Sequence, residues 1–88
     1  MIYLFQALKL LKLHEGYRQY PYTDSLGIVT IGYGRNLESR GLTESEATYL
    51  LEQDIDQAEE YLHKGYDYYY DLSGERKAVL IDMMVNLG

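Results

Sequence analysis

Apolar residues at Leu4, Leu8 and Leu11, widened by Phe5, Ala7 and Leu10, recur at helical spacing and predict a helix over about residues 2–15. Gly16 follows, a residue able to take the left-handed backbone that stops a helix. From Tyr20 the period changes. Tyr20-Pro21-Tyr22 reads as extended, Ser25-Leu26-Gly27 as a turn and Ile28-Val29-Thr30-Ile31 as a β-branched strand, which predicts a small antiparallel sheet over about 20–34. Pro21 has no N–H to give a ladder and suits only an edge strand. Arg35 to Gly41 is polar and reads as a connection. Thr43 with Glu46 is a capping box, and Ala47, Leu50, Leu51, Ile55, Ala58 and Leu62 continue at intervals of three or four, predicting a helix over about 43–63 with His63, Lys64 and Gly65 at its end. A last helix is predicted over about 74–86. Val79, Leu80, Ile81, Met83, Met84 and Val85 make it apolar nearly all round, the pattern of a helix in the middle of a core.

Helix, small antiparallel sheet and two further helices make an α+β lobe. The 88 residues, with one Pro, fit a single small domain, 1–88, with a thin core. No cysteine is present, so the fold needs no disulfide and is compatible with a reducing cytoplasm. The N-terminal run has no basic segment before it and no small-residue cleavage site, and Lys9 and Lys12 interrupt it. It reads as a helix of the mature protein rather than a signal peptide, and falls short of the roughly 20 apolar residues of a membrane span.

The net charge of −6 argues against nucleic acid as a partner, because phosphate binding needs clustered Lys and Arg. Five basic residues against three acidic ones give residues 1–40 a charge of +2, and three against eleven give residues 41–88 a charge of −8. An anionic polymer is therefore repelled less by the first half. The acidic side chains of the second half read equally as the solvated face of a helix.

Candidate chemistry is concentrated between His14 and Arg35. Glu15 ends the first predicted helix, Asp24 precedes the hairpin turn and Thr30 lies in the second strand. Two carboxyl groups and a hydroxyl are the parts needed to protonate a leaving oxygen and aim a water at the opposite face. Each residue also has a plain structural reading: a solvent-exposed helix end for Glu15, a turn cap for Asp24 and β propensity for Thr30. Gly32 and Gly34 bracket Tyr33, letting the backbone turn or a ligand approach closely. There is no GxGxxG, GKS or GKT motif, which disfavours nucleotide binding. His14 and His63 stand in separate segments without a ligand motif, so zinc is not expected. In the YDYYYD run from Tyr66 to Asp71, the tyrosines suit either a helix junction or a sugar-stacking surface.

These residues resemble the phage-type lysozymes of glycoside hydrolase family 24, the endolysin group that includes the T-even phage enzymes. The resemblance rests on His14-Glu15-Gly16, Tyr22-Thr23-Asp24, Thr30-Ile31-Gly32-Tyr33-Gly34 with Arg35-Asn36-Leu37, Gly41-Leu42-Thr43, Leu51-Glu52-Gln53-Asp54-Ile55 and Leu80 to Gly88. It implies a lysozyme-like N-terminal lobe, with a catalytic lobe over 1–65, the start of a helical lobe over 66–88, and the usual C-terminal helical lobe lacking. It also implies that Glu15, Asp24 and Thr30 are catalytic and makes Gly32, Tyr33, Gly34 and Arg35 candidate substrate-binding positions. The expected substrate is bacterial peptidoglycan, cleaved without a cofactor or metal after residence in the host cytoplasm before lysis.

Three readings stay open at this level. The chain is an active muramidase whose missing cleft wall comes from a second copy or a partner chain docking through residues 74–88. Alternatively it is a catalytically inactive lobe that binds glycan or serves as a structural module, or it is a truncated piece of a longer endolysin.

Overall fold

In the computed structural model, which describes residues 1–87, the chain divides into two compact units, Met1–Leu42 and Thr43–Gly88. The first unit begins with α1 (Ile2–Glu15), spanning the range its apolar spacing predicts. A sheet of β1 (Arg18–Thr23), β2 (Val29–Gly32) and β3 (Arg35–Asn36) follows, antiparallel in the order β1-β2-β3. Three strands replace the hairpin expected over about 20–34. The sheet starts at Arg18, and the third strand takes two residues of the segment read as a polar connection. Its pairing is set by the central strand: Thr30 lies opposite Tyr22 on one side and Asn36 on the other. The β1–β2 register is irregular between Arg18 and Tyr22. Thr30, 4% exposed, is the most enclosed polar residue of this unit, whereas no residue of α1 is buried.

The second unit is helical. α2 (Glu44–Gly65) starts at the predicted capping box: Glu46 N–H donates to Thr43 Oγ1 at 3.2 Å, and Thr43 N–H donates to Glu46 Oε1 at 2.9 Å. Those bonds satisfy two backbone donors that the first turn leaves without helical partners. A 3-10 turn (Asp67–Asp71) leads to α3 (Gly74–Leu87). Within the tyrosine run, Tyr69 is fully buried and Tyr66, Tyr68 and Tyr70 are exposed, so packing claims one of the four rings.

Tyr69 ties this unit together. Its hydroxyl donates to Glu59 Oε2 at 3.3 Å, the His63 ring meets it edge-on at 4.8 Å, and Lys77 Nζ lies 5.2 Å from its ring centroid. One ring thereby joins α2, the 3-10 turn and α3. Burial, together with the neighbouring Glu59 carboxylate, pushes the Tyr69 hydroxyl above the usual tyrosine range. Ala58 and Leu62 complete the buried core on α2.

α3 turns only part of its apolar surface to its unit. None of its residues is buried, and Val79, Met83 and Leu87 are 59%, 54% and 83% exposed. A single neighbouring helix covers one side of a cylinder, so Ile81, Met84 and Val85 reach only partial burial where they line grooves with α2. Among the described residues no helix is long and apolar enough to cross a membrane.

Candidate active site

Glu15 is the last residue of α1 and is exposed. The chain leaves the helix through Gly16, whose N–H still bonds Lys12 O at 3.1 Å. Gly16 has the positive φ expected of it, 71°, but its ψ of 152° is extended rather than helical. That region is open essentially to glycine alone, and it sends the chain straight towards β1 instead of through a left-handed helical cap.

The end of α1 rests on the turn between β2 and β3. Lys12 Nζ stands 5.4 Å from the Tyr33 ring centroid, and the Tyr17 ring is tilted against Tyr33 at 5.7 Å. Glu15 lies over Gly34. A Cβ built on Gly34 would stand 2.5 Å from Glu15 Oε2 and 2.9 Å from its Cδ. Gly32 and Gly34 carry φ of 66° and 77°, which lets Tyr33 project from a tight bend while 45% exposed.

Asp24 sits at the mouth of the hairpin, half-buried. Its Oδ1 accepts the N–H of Leu26 at 2.9 Å and that of Ile28 at 3.0 Å, and its own N–H donates to Ile28 O at 2.9 Å. It therefore caps its turn. Only Oδ1 is used in those bonds, so the carboxylate is fixed in orientation with Oδ2 available to a water or a substrate hydroxyl. Thr30 Oγ1 donates to the same Ile28 carbonyl at 3.0 Å. The Asp24 backbone N–H and the Thr30 hydroxyl thus share the Ile28 carbonyl, while the Asp24 carboxylate holds the Ile28 N–H.

Arg35, in β3 opposite Ile31, is half-buried and its Nη1 donates to Gly41 O at 3.4 Å. Glu38 Oε1 accepts the Val29 N–H at 3.3 Å, at the start of the central strand. The structure accordingly groups the seven sequence-derived positions around two features. Asp24 and Thr30 gather at Ile28, while Glu15, Gly32, Tyr33 and Gly34 gather at the bend that leads into Arg35. Ile28, Lys12 and Tyr17 were not singled out by the sequence. Ile28 acts through its backbone, which no side-chain pattern reveals, and the other two find Tyr33 only once the helix end and the bend are brought together. Among the described residues no group of three or more His, Asp or Glu side chains is placed to hold a metal ion.

The α+β lobe thus carries an exposed glutamic acid at a helix end and an oriented aspartate and a threonine on one hairpin. The family model for phage lysozyme matches residues 12–88, and the chain belongs to the phage lysozyme family, bacteriophage hydrolases that degrade peptidoglycan as glycosidases. Among individual curated proteins, none matches the chain.

Proposed function

We propose that the chain is an N-acetylmuramidase that hydrolyses the β-1,4 bond between N-acetylmuramic acid and N-acetylglucosamine. Glu15 protonates the glycosidic oxygen, while Asp24 and Thr30 hold and activate a water that attacks the anomeric carbon from the other face. Such an inverting displacement needs room for that water, so the two carboxyl groups act across roughly 6.5–9.5 Å with substrate bound. Gly32, Tyr33, Gly34 and Arg35 form the adjoining wall, where the exposed Tyr33 ring offers an apolar face to a sugar.

The observation that carries this reading is the arrangement around Ile28. The Asp24 carboxylate is held by two backbone donors on one oxygen while the other remains open, as a base that aims a water requires. Clearing of a bacterial wall suspension with release of reducing ends tests it. A chain that binds wall material and releases none would instead be a glycan-binding lobe.

The same proposal includes a covering partner for α3. Its exposed Val79, Met83 and Leu87 are met by a second copy of the chain or by a chain supplying a helical lobe through residues 74–88. Sedimentation at micromolar concentration tests the first of these. The proposed place of action is the cell wall, reached from the host cytoplasm at lysis.

A further inference from the structure

We infer that Gly34 is a positioning residue for Glu15, acting through the side chain it lacks. A glycine beside a candidate sugar-binding tyrosine is naturally read as room for a ligand. Here the room is taken by the protein's own carboxyl group. A Cβ on Gly34 would meet Glu15 Oε2 at 2.5 Å, Cδ at 2.9 Å and Cγ at 3.4 Å, so the slot admits Glu15 only because position 34 carries hydrogen alone. Two further contacts fix the helix end over that slot: Lys12 above the Tyr33 ring, and Tyr17 against its flank. The bend therefore sets where the carboxyl group of Glu15 stands, and its tyrosine is the clamp.

The inference rests on the proposed role of Glu15 as the general acid, but the contact can be tested without activity. Gly34→Ala alone is ambiguous, because an L side chain at a φ of 77° is strained whatever surrounds it. Gly32 supplies the control. It has a φ of 66° in the same bend, and a Cβ there would meet nothing within 4 Å. Gly32→Ala puts an L side chain at a positive φ in the same bend without the collision.

The experiment is a set of thermal melts and wall-clearing rates on Gly34→Ala and Gly32→Ala, each made in the parent and in Glu15→Ala. The colliding atoms are the free end of an exposed side chain, so the parent relieves Gly34→Ala by swinging the carboxyl group aside: Gly34→Ala should melt only slightly below Gly32→Ala, and in Glu15→Ala, which keeps nothing past Cβ, that difference should vanish. In the active parent, Gly34→Ala should lower kcat about tenfold to a hundredfold relative to Gly32→Ala, because the general acid is displaced. In Glu15→Ala the two glycine variants should clear walls at equal residual rates. A kcat for Gly34→Ala equal to that of Gly32→Ala in the parent would overturn the inference, and so would a difference in melting or clearing that persists undiminished in Glu15→Ala. If the coupled melting is present but Glu15→Gln clears walls at the parent rate, the contact stands, while the acid role of Glu15, and with it positioning for catalysis, falls.

Discussion

Asp24 and Ile28 are bonded in both directions across the hairpin: the Ile28 N–H donates to Asp24 Oδ1 at 3.0 Å and the Asp24 N–H donates to Ile28 O at 2.9 Å. The side chain that caps the turn and the carboxylate proposed to work on a water are therefore the same group. This makes the two roles separable by substitution. Asp24→Asn keeps an amide oxygen that can accept both backbone N–H groups and should leave the melting temperature close to that of the parent. It removes the base, and wall clearing should fall by about 10²–10⁴-fold. Asp24→Ala removes the cap as well, so it should also destabilise, by about 1–2 kcal/mol for the two lost hydrogen bonds. Melting curves beside clearing rates check both.

Glu15→Gln changes little volume and deletes the transferable proton. Because Glu15 is exposed at the end of α1, the variant should fold as the parent does and lose hydrolysis. Near-parental clearing by a folded Glu15→Gln protein would place the general acid elsewhere.

The capping box offers a local test of the helical unit. Thr43→Ala removes the acceptor for Glu46 N–H and should cost about 0.5–2 kcal/mol, read as a lower midpoint in a denaturant titration. Thr43→Ser retains the hydroxyl and should recover most of that loss.

Tyr69 predicts an alkaline dependence of stability with a definite sign. Its hydroxyl is raised above the ordinary range by burial first and by Glu59 second, so the folded state favours the protonated phenol. The stability linked to it is complete below the unfolded value of about 10 and is lost as pH rises through the higher folded value. Melting temperatures followed across that window should fall in the parent. In Tyr69→Phe, which keeps the ring contacts with His63 and Lys77 and has nothing to ionise, this part of the fall should be absent.

On α3, exposure separates association from folding. Val79 and Met83 are exposed, whereas Met84 and Val85 are half-buried in grooves shared with α2. Val79→Lys with Met83→Lys should abolish self-association in sedimentation while preserving the helical circular dichroism. Met84→Lys or Val85→Lys should instead lower stability, since covering a large apolar side chain is worth about 1.5–3 kcal/mol.

What the sequence made legible is what local chemistry decides. Thr43 and Glu46 cap one another within a single turn, and the spacing of Leu4, Leu8 and Leu11 is enough to give the extent of α1. Strand Arg35–Asn36 was not legible, because two polar residues have no period and their pairing depends on a central strand already in place. For α3 the sequence made legible a helix more apolar than a thin lobe can cover, but not which of its residues are covered, because composition states what a helix would bury and only its neighbours decide what it does bury. At the site, Glu15, Asp24 and Thr30 could be picked out as residue types at a spacing. The shared Ile28 carbonyl and the slot at Gly34 could not: the first is a backbone group that no side-chain pattern marks, and the second depends on the helix end meeting the bend.

The two borders of the sheet are closed to newcomers for different reasons. Along β1, Pro21 leaves a gap in the row of donors that an incoming strand would need, and β3 is only two residues long. Neither edge is a good template for β-augmentation or for the edge-to-edge stacking that seeds fibrils. Main-chain zippering onto the sheet is thereby disfavoured on both sides.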